Sequence, residues 1–153
     1  MQGKIIPVSI VIFCKNITSE GLSLWMQVRE EKGPLNGLLE FPGGKIEEGE
    51  SSEDAARREV YEEVNFSIPA NKKLPLFIMH PYTYSDRNIQ LFVHVSNCED
   101  VPESSGQWFD FCYVEKSKKY EGKIPSVNHL IIDKFIKYIK DQVEENTLGL
   151  VWN

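Results

Sequence analysis

Residues 43–63 of the chain read GGKIEEGESSEDAARREVYEE, a glycine-rich segment followed by a segment of good helix formers. Ser51 or Ser52 can cap a helix at this point, because a hydroxyl oxygen at the N-cap accepts a hydrogen bond from a free amide of the first turn. The composition of residues 55–64 predicts that the helix continues to about Val64. The stretch therefore predicts a glycine-rich loop that leads directly into a helix.

Glutamates crowd one edge of this predicted helix. At about 100° per residue, Glu59 and Glu63 fall on one side of the helix and Glu62 lies a further step round. Neighbouring carboxylates repel one another, and the single guanidinium of Arg58 cannot neutralise these three together with Glu50. Hard divalent cations prefer carboxylate and carbonyl oxygens and also bridge to phosphate oxygens, so the cluster favours a metal site of the Mg²⁺ type.

The alternative interpretation of a bare glutamate cluster is a solvated acidic helix face, which is the commoner case. The glycines at a fixed distance ahead of the cluster favour the metal site instead. Because Gly43 and Gly44 have no side chains, a backbone carbonyl can approach a metal ion and the chain can turn sharply into the helix. Loop and helix would then form one site.

The rest of the chain predicts a mixed β-sheet packed by helices, because alternating apolar segments are followed by segments of helical spacing. No repeats or linkers are present, so residues 1–153 are interpreted as a single domain. The predicted elements besides the first helix are strands at residues 8–12, 22–28, 39–41, 74–82, 88–95 and 108–114 and a second helix at residues 127–144.

Composition narrows the classes of function. The 17 basic and 23 acidic side chains give a formal net charge of −6, which argues against a protein that coats the phosphates of a DNA duplex. The apolar run at residues 5–14 is too short to cross a membrane. Cys14, Cys98 and Cys112 form no CxxC pair and cannot all pair within one chain, so we interpret them as reduced packing residues of a cytoplasmic protein.

The spacing of the charged stretch resembles the Nudix box: Gly44, five residues, Glu50, seven residues, Arg58-Glu59-Val60, one residue, Glu62-Glu63, one residue, Asn65-Phe66. The departure from the family pattern is Asn65, where the family usually has glycine. Asparagine is the non-glycine residue that best takes the left-handed conformation expected just past a helix end. The resemblance implies a Nudix α/β/α sandwich, of the α/β (α+β) class, with a mixed β-sheet between helices.

The resemblance also implies a metal site. Glu59 and Glu63 would be the principal ligands, Glu62 a further ligand or a water-holding group, and the Gly43 carbonyl another ligand. The metal would be Mg²⁺, with Mn²⁺ as the alternative. Two or more ions would neutralise a polyphosphate and lower the pKa of a bound water that attacks phosphorus.

Further catalytic roles are implied for residues around the ligands. Arg58 would orient a glutamate, and Glu50 would anchor the loop or support the ligands from behind. Glu103, in the polar loop before Trp108, is the first candidate for a general base, because a similarly placed acid serves in MutT-like members of the family. The alternative bases are Glu99, Asp100 and Asp110.

Residues outside the box resemble the MutT-type nucleoside triphosphate pyrophosphohydrolases. Residues 38–47 look like the segment in which a phenylalanine lines the base pocket, here Phe41. Arg29, at the end of the second strand, and Arg87, in an Asp-Arg pair between two strands, match arginines that lie at the substrate. Asn128 matches a base-reading asparagine, and its amide suits a guanine edge because it offers both a donor and an acceptor.

Each of these four residues has a simpler interpretation when it is taken alone. Phe41 would be a core residue, the two arginines would be surface charges, and Asn128 would be the N-cap of the last helix. Their joint occurrence favours the substrate-binding interpretation.

The combined prediction is a Mg²⁺-dependent pyrophosphohydrolase that acts on the 5′-triphosphate of a purine nucleotide, with guanine favoured, and releases pyrophosphate. The substrate would be a free nucleoside triphosphate such as (d)GTP or 8-oxo-dGTP, or the 5′-triphosphate end of an RNA. For RNA, Lys116, Lys118, Lys119 and Lys123 could supply a basic strip. The alternatives are a nucleoside diphosphate sugar or dinucleotide hydrolase and a catalytically silent nucleotide-binding module. The protein would be a monomer or homodimer with no membrane partner.

Overall fold

A computed structural model describes residues 4–30 and 32–153 of the chain. Within that part the strands are β1 (Ile5–Lys15), β2 (Gly21–Val28), β3 (Leu39–Glu40), β4 (Gly43–Lys45), β5 (Leu76–Tyr84), β6 (Arg87–Ser96) and β7 (Gln107–Cys112). The helices are α1 (Ser52–Val64) and α2 (Ser126–Glu144), with short 3₁₀ helices η1 (Lys116–Tyr120) and η2 (Leu148–Trp152) on either side of α2. None of the described helices is long and apolar enough to span a membrane.

The strands form one mixed sheet in the order β3-β2-β1-β6-β5, with β4 paired to β1 and β7 paired to β2. β1 runs parallel to β6, from Ile5↔Asn88 to Phe13↔Ser96, and antiparallel to β2. Parallel neighbours need a long crossover connection. The chain between β1 and β6, which includes α1, provides that crossover.

The central strand β1 has apolar side chains on both faces, because each face of the sheet is covered by a helix. Val11 and Phe13 share a core with the buried residues of α1, and Ile10 and Ile12 share a core with those of α2. Full burial of a side chain of this size stabilises the fold by about 1.5–3 kcal/mol. The predicted α/β/α sandwich with a mixed sheet is confirmed.

The structure corrects the interpretation of Gly43 and Gly44 as a sharp turn. Both lie in β4, paired antiparallel with Ile10 and Ser9 of β1, and neither has a positive φ. A Cβ at position 43 would collide with the Ser9 carbonyl and with Ile10. Glycine is required here for the close approach of two strands and not for a turn.

Other boundaries differ from prediction for local reasons. β5 continues to Tyr84, because Ser85 and Asp86, with φ of 46° and 66°, form a two-residue hairpin turn into β6. β7 ends at Cys112, which is exposed, so the predicted packing role is wrong for that cysteine. Cys14 and Cys98 are buried, as predicted.

Candidate active site

Helix α1 holds the predicted glutamates at a fixed place. Its N-cap Ser51 accepts a hydrogen bond from the Asp54 amide at 3.0 Å. Asn65, just past its end, takes the left-handed conformation with φ 57° and ψ 41°. Both helix ends are therefore as predicted. Because the apolar side of α1 packs on the sheet, the glutamates that flank this side lie at the rim between helix and strands.

Arg58 donates hydrogen bonds to three of the glutamates. Its Nε and Nη2 donate to the two carboxylate oxygens of Glu50 at 2.8 and 3.0 Å, and its Nη1 donates to Glu59 at 3.0 Å and Glu62 at 3.2 Å. The Lys45 carbonyl accepts a further bond at 2.9 Å, which ties α1 to β4. The bidentate pair lowers the pKa of Glu50 and raises the pKa of Arg58.

Glu63 has a different set of partners. Although the residue as a whole is exposed, its Oε2 turns back to accept from the Gly43 amide at 3.1 Å and from Gln27 Nε2 at 3.2 Å. Burial of this carboxylate removes it from water and raises the pKa of Glu63 to about 7, and repulsion by the negative charges of Glu59 and Glu40 contributes to the rise. Such a crowded carboxylate is a place where a cation is electrostatically favoured.

The carboxylate of Glu59 lies directly against Gly44. A Cβ at position 44 would collide with the carboxylate carbon and both oxygens of Glu59. Glu59 and Glu63, four residues apart on α1, thus contact two successive residues of β4. The two glycines are the surface onto which the acidic edge of the helix fits.

The donor set suits a hard divalent cation. Glu59, Glu62 and Glu63, with the backbone at Gly43, supply oxygen ligands of the kind that Mg²⁺ prefers. Within residues 4–30 and 32–153, however, no three acidic, histidine or cysteine side chains converge as a ready cation site, because hydrogen bonds hold Glu59 and Glu62 on Arg58 and Glu63 on its own donors. Coordination requires these carboxylates to turn from their present donors, and their ligand roles stay predictions.

A cavity of about 390 Å³ opens beside Gly43 and Gly44, within the usual size range of small-molecule sites. The four residues that were predicted to contact the nucleotide all line it: Arg29, Phe41, Arg87 and Asn128. They come from four separate segments of the chain. Their roles stay predictions, but the fold brings all four to one cavity, which is also lined by Gly43 and Gly44, the two residues that Glu63 and Glu59 contact.

The simpler interpretation of Asn128 is wrong. The N-cap of α2 is Pro125, which makes no side-chain capping bond, and Asn128 lies inside the first turn. Its side chain is therefore not required by the helix end. Phe41, only 5% exposed, belongs to the core and also lines the cavity. Arg29 pairs with Glu40 at 3.1 Å.

Sequence reasoning missed further side chains at the site. Glu40, Tyr82 and Tyr84 line the cavity, and Gln27 holds Glu63. Burial raises the pKa of the Tyr82 phenol, and the charge of Arg29 opposes that rise. A signal was present for the tyrosines, because every second residue of a strand faces the same side.

The candidate general bases occupy two different places. Glu99, Asp100 and Glu103 are exposed in the connection between β6 and β7. Asp110, in contrast, lines a separate cavity of about 360 Å³ and accepts a hydrogen bond from Ser23 Oγ at 2.7 Å.

The connection that carries Glu103 ends beside the glutamates. Gln107 pairs with Met26 at the end of the β2–β7 ladder. The residue after Met26 in β2 is Gln27, which donates to Glu63. A Cβ at position 106 would collide with the Trp25 ring. The close fit holds the end of this loop near the acidic edge of α1, although the identity of the base stays a prediction.

A model of the NUDIX domain matches residues 6–130, a range that includes every predicted site residue. The chain belongs to the Nudix family. It is a Nudix hydrolase, and the enzymes of this family generally use divalent metal ions. The sequence of this Nudix hydrolase contains the glutamates and the arginine of the Nudix box, and its fold brings the arginine into contact with three of these glutamates.

Relatives with named activities match this Nudix hydrolase to different extents. An 8-oxo-dGTP diphosphatase of Haemophilus influenzae is 29% identical over 137 residues, which are 89% of this chain and 95% of that protein. The 8-oxo-dGTP diphosphatase of Escherichia coli is 37% identical over 76 residues, 50% of this chain and 57% of that protein. Nucleoside triphosphatase NudI of Escherichia fergusonii is 36% identical over 75 residues, 49% of either chain.

Solved structures share the fold at low sequence identity. A MutT protein from Methanosarcina mazei Go1 superposes with a TM-score of 0.64 at 15% identity, covering 90% of this chain and 97% of that one. The Ap4A hydrolase of C. elegans superposes with a TM-score of 0.63 at 14% identity, covering 89% and 99%. At these identities the likeness establishes the Nudix fold alone.

Proposed function

We propose that this Nudix hydrolase cleaves the 5′-triphosphate of a purine nucleotide, with guanine preferred, to a monophosphate and pyrophosphate. The observation that carries the proposal is the cavity that Phe41 and Asn128 line and that reaches Gly43 and Gly44 at the acidic edge of α1. A nucleoside in this cavity would direct its phosphates toward the glutamates. The names of the relatives, two of which are 8-oxo-dGTP diphosphatases, support the same substrate class.

The glutamates would hold the metal in the proposed reaction. Glu59, Glu62 and Glu63, with the Gly43 carbonyl, would bind Mg²⁺, or Mn²⁺ as the alternative. When bound, the metal neutralises phosphate charge and lowers the pKa of a coordinated water. Arg58 would stay anchored on Glu50 and orient the other glutamates, while Glu59 and Glu62 turn from its Nη1 toward the metal.

Other side chains would bind the substrate and move the proton. Glu103 would take the proton from the attacking water, given that its loop ends beside Gln27. Arg29 and Arg87 would attract the triphosphate, since guanidinium groups bind phosphate oxygens with a matching fork of donors. Phe41 would stack on the base and Asn128 would hydrogen-bond its edge.

A free nucleotide and an RNA 5′ end both satisfy this chemistry, and we favour the free nucleotide. Of the lysines that could guide RNA, those at positions 116, 118 and 119 lie between Glu115 and Glu121, and the one at position 123 follows Glu121. Such mixed charges form a weak phosphate track. We also propose that residues 1–153 act as one cytoplasmic domain, as a monomer or homodimer. The free thiols of all three cysteines support a reducing compartment.

The decisive experiment compares kcat/KM in Mg²⁺ for 8-oxo-dGTP, dGTP, a short 5′-triphosphate RNA, a nucleoside diphosphate sugar and a dinucleoside tetraphosphate. We expect pyrophosphate release, with the two deoxynucleotides hydrolysed fastest. The Glu59→Gln Glu63→Gln variant should be inactive, whereas Glu48→Gln, which removes a charge from an exposed residue of the same loop, should be active. Preferred cleavage of the nucleoside diphosphate sugar or of the dinucleoside tetraphosphate, or an active double variant, would contradict the proposal. Faster cleavage of the RNA would mean that the preferred substrate is the RNA 5′ end and not the free nucleotide.

A further inference from the structure

A serine, a histidine and an aspartate meet between η1 and α2, apart from the glutamates. The Ser117 hydroxyl lies 2.6 Å from Asp133 Oδ1 and 2.8 Å from His129 Nδ1. The Ser117 amide donates to the same Asp133 oxygen at 3.0 Å. Ser117 is only 1% exposed. These are the residue types of a nucleophilic triad, so the direction of each hydrogen bond decides what the cluster can do.

The available protons exclude a nucleophilic serine. An ionised carboxylate only accepts hydrogen bonds, so the single hydroxyl proton of Ser117 points to Asp133. The Ser117 oxygen must then accept from Nδ1 of His129, which therefore carries a proton and cannot act as the base. The other ring nitrogen, Nε2, is buried and has no hydrogen-bond partner within the part of the chain that the structure describes. The cluster links η1 to α2 through Ser117, which is buried, and through the partly buried His129 and Asp133.

This hydrogen-bonded cluster fixes the first turn of α2. The N-cap residue, Pro125, makes no side-chain capping bond, so the start of the helix lacks the usual local restraint. His129 and Asp133 lie four residues apart and therefore on one side of α2, and both are bonded to Ser117. Asn128, next to His129, lines the cavity. Its position depends on how that turn is held.

The same short segment is also hydrogen-bonded to the strand that leads to Phe41, another residue that lines the cavity. After η1, the Lys123 amide donates to the Tyr120 carbonyl at 2.9 Å, and the Lys123 carbonyl accepts from the Leu39 amide at 2.8 Å. Leu39 is two residues before Phe41 on the same short extended piece. Ser117 is thus connected to Asn128 through its hydrogen bond with the neighbouring His129. It is connected to Phe41 through the chain from η1 to Lys123 and the hydrogen bond of Lys123 with Leu39.

We propose that Ser117 is a specificity-determining positioning residue that sets the gap between Phe41 and Asn128. The inference rests on the proposed function, in which these two residues contact the base. Ser117 itself does not touch the substrate. Its loss should widen the gap and weaken recognition of the base, while the glutamates that perform the chemistry stay in place on α1.

The test compares Ser117→Ala with two other variants. Asp133→Asn keeps an oxygen that accepts from Ser117, so this variant should retain most of the wild-type behaviour. Tyr113→Phe removes a different buried hydrogen bond, from the Tyr113 hydroxyl to the Thr18 carbonyl at 2.7 Å, and serves as the matched control for lost stability. For each variant, KM and kcat are measured with dGTP and dATP, and amide hydrogen exchange is measured at residues 39–41 and 126–129.

Ser117→Ala should raise KM for dGTP about tenfold with kcat within about twofold, which corresponds to the loss of about one hydrogen bond to the base. The preference for dGTP over dATP should fall by about the same factor, and exchange at both segments should become faster. Tyr113→Phe should change none of these. Unchanged base preference, a fall in kcat alone, or the same shifts in Tyr113→Phe would overturn the inference. An inactive wild-type enzyme would instead overturn the proposed function on which it rests.

Discussion

The two sides of the site are assembled in different ways. The glutamate side lies within residues 50–63 and consists of Glu50, Arg58, Glu59, Glu62 and Glu63. The base side draws on four separate segments and consists of Arg29, Phe41, Arg87 and Asn128. All of the glutamate side except Glu50, which lies in the loop before α1, follows from the period of a single helix. The base side exists only after the sheet and both helices have packed.

This difference explains how one fold combines a fixed chemistry with a variable substrate. The spacing of acids on α1 constrains only the helix and β4, so the chemistry can stay constant while other segments change. The cavity residues lie at strand ends and in the first turn of α2, and all of them except the core residue Phe41 lie where the scaffold tolerates replacement. Variants of each side should therefore have separable effects on turnover and on base recognition.

The largest effect is expected on the glutamate side, for Glu63→Gln. If Glu63 is a metal ligand as proposed, removing its charge should cost several kcal/mol of transition-state stabilisation and lower kcat/KM about 10³-fold. Affinity for GMP, the monophosphate that the proposed reaction would give from GTP, should stay within about twofold when it is measured by calorimetry without metal. Mn²⁺ affinity should fall in parallel with activity. Loss of metal-free GMP binding in Glu63→Gln would show that the two sides are not separable.

A smaller effect on the same side is expected for Gly44→Ala. The new Cβ would displace the Glu59 carboxylate from β4, and a shift of about 1 Å in a catalytic group costs about 10²-fold in kcat/KM. Gly149→Ala is the matched control, because a Cβ there meets nothing within 4 Å. The measurement is kcat/KM beside the melting temperature. Full activity in Gly44→Ala would mean that Glu59 need not lie against this strand.

On the base side, Asn128→Ala should lower the preference for dGTP over dATP about tenfold, the value of one hydrogen bond between protein and base. Turnover at saturating dGTP should change by less than about twofold, since α1 is untouched. Asn128→Asp is the informative companion, because it keeps the acceptor oxygens and removes the amide donor. An equal loss of kcat for dGTP and dATP in Asn128→Ala would place this residue in the chemistry instead.

The sequence was sufficient to predict both α-helices, six of the seven described strands and the acidic edge of α1, because these depend on local periodicity. The cap at Ser51 and the left-handed Asn65 follow from side-chain chemistry within a few residues. Gly43 and Gly44 were misread as a turn, because a glycine required by close approach looks the same in sequence as one required by φ.

The partners across the sheet could not be predicted in the same way. Gln27 reaches Glu63 only because β2 lies beside β1 on the side where β4 also pairs. Tyr82 faces the cavity because β5 pairs with β6 in a particular register. Likewise, the bidentate bond from Arg58 to Glu50 depends on the path of the loop between β4 and α1, which no helical period determines.

The smallest effect, on the free energy of unfolding, is expected for substitutions just past the ends of α1 and α2. These two helices cover opposite faces of the sheet, so the same substitution can be compared on both. Asn65 follows α1 with φ 57°, and Asn146 follows α2 with φ 59°. Replacing either with glycine relieves the strain of a side chain in the left-handed region but gives the unfolded chain more freedom. Asn65→Gly, which restores the residue usual in the family, should therefore stabilise by no more than about 0.5 kcal/mol, or about 1–2 °C in melting temperature.

Asn146→Gly is the matched control for the backbone effect at Asn65. Calorimetric melting of both variants should give the same small shift, with kcat/KM unchanged in each, if the conformation at position 65 is all that α1 requires. A loss of activity confined to Asn65→Gly would contradict this expectation. It would mean that the Asn65 side chain, and not only its φ, contributes to the glutamate side, and the boundary of that side would then extend past the end of α1.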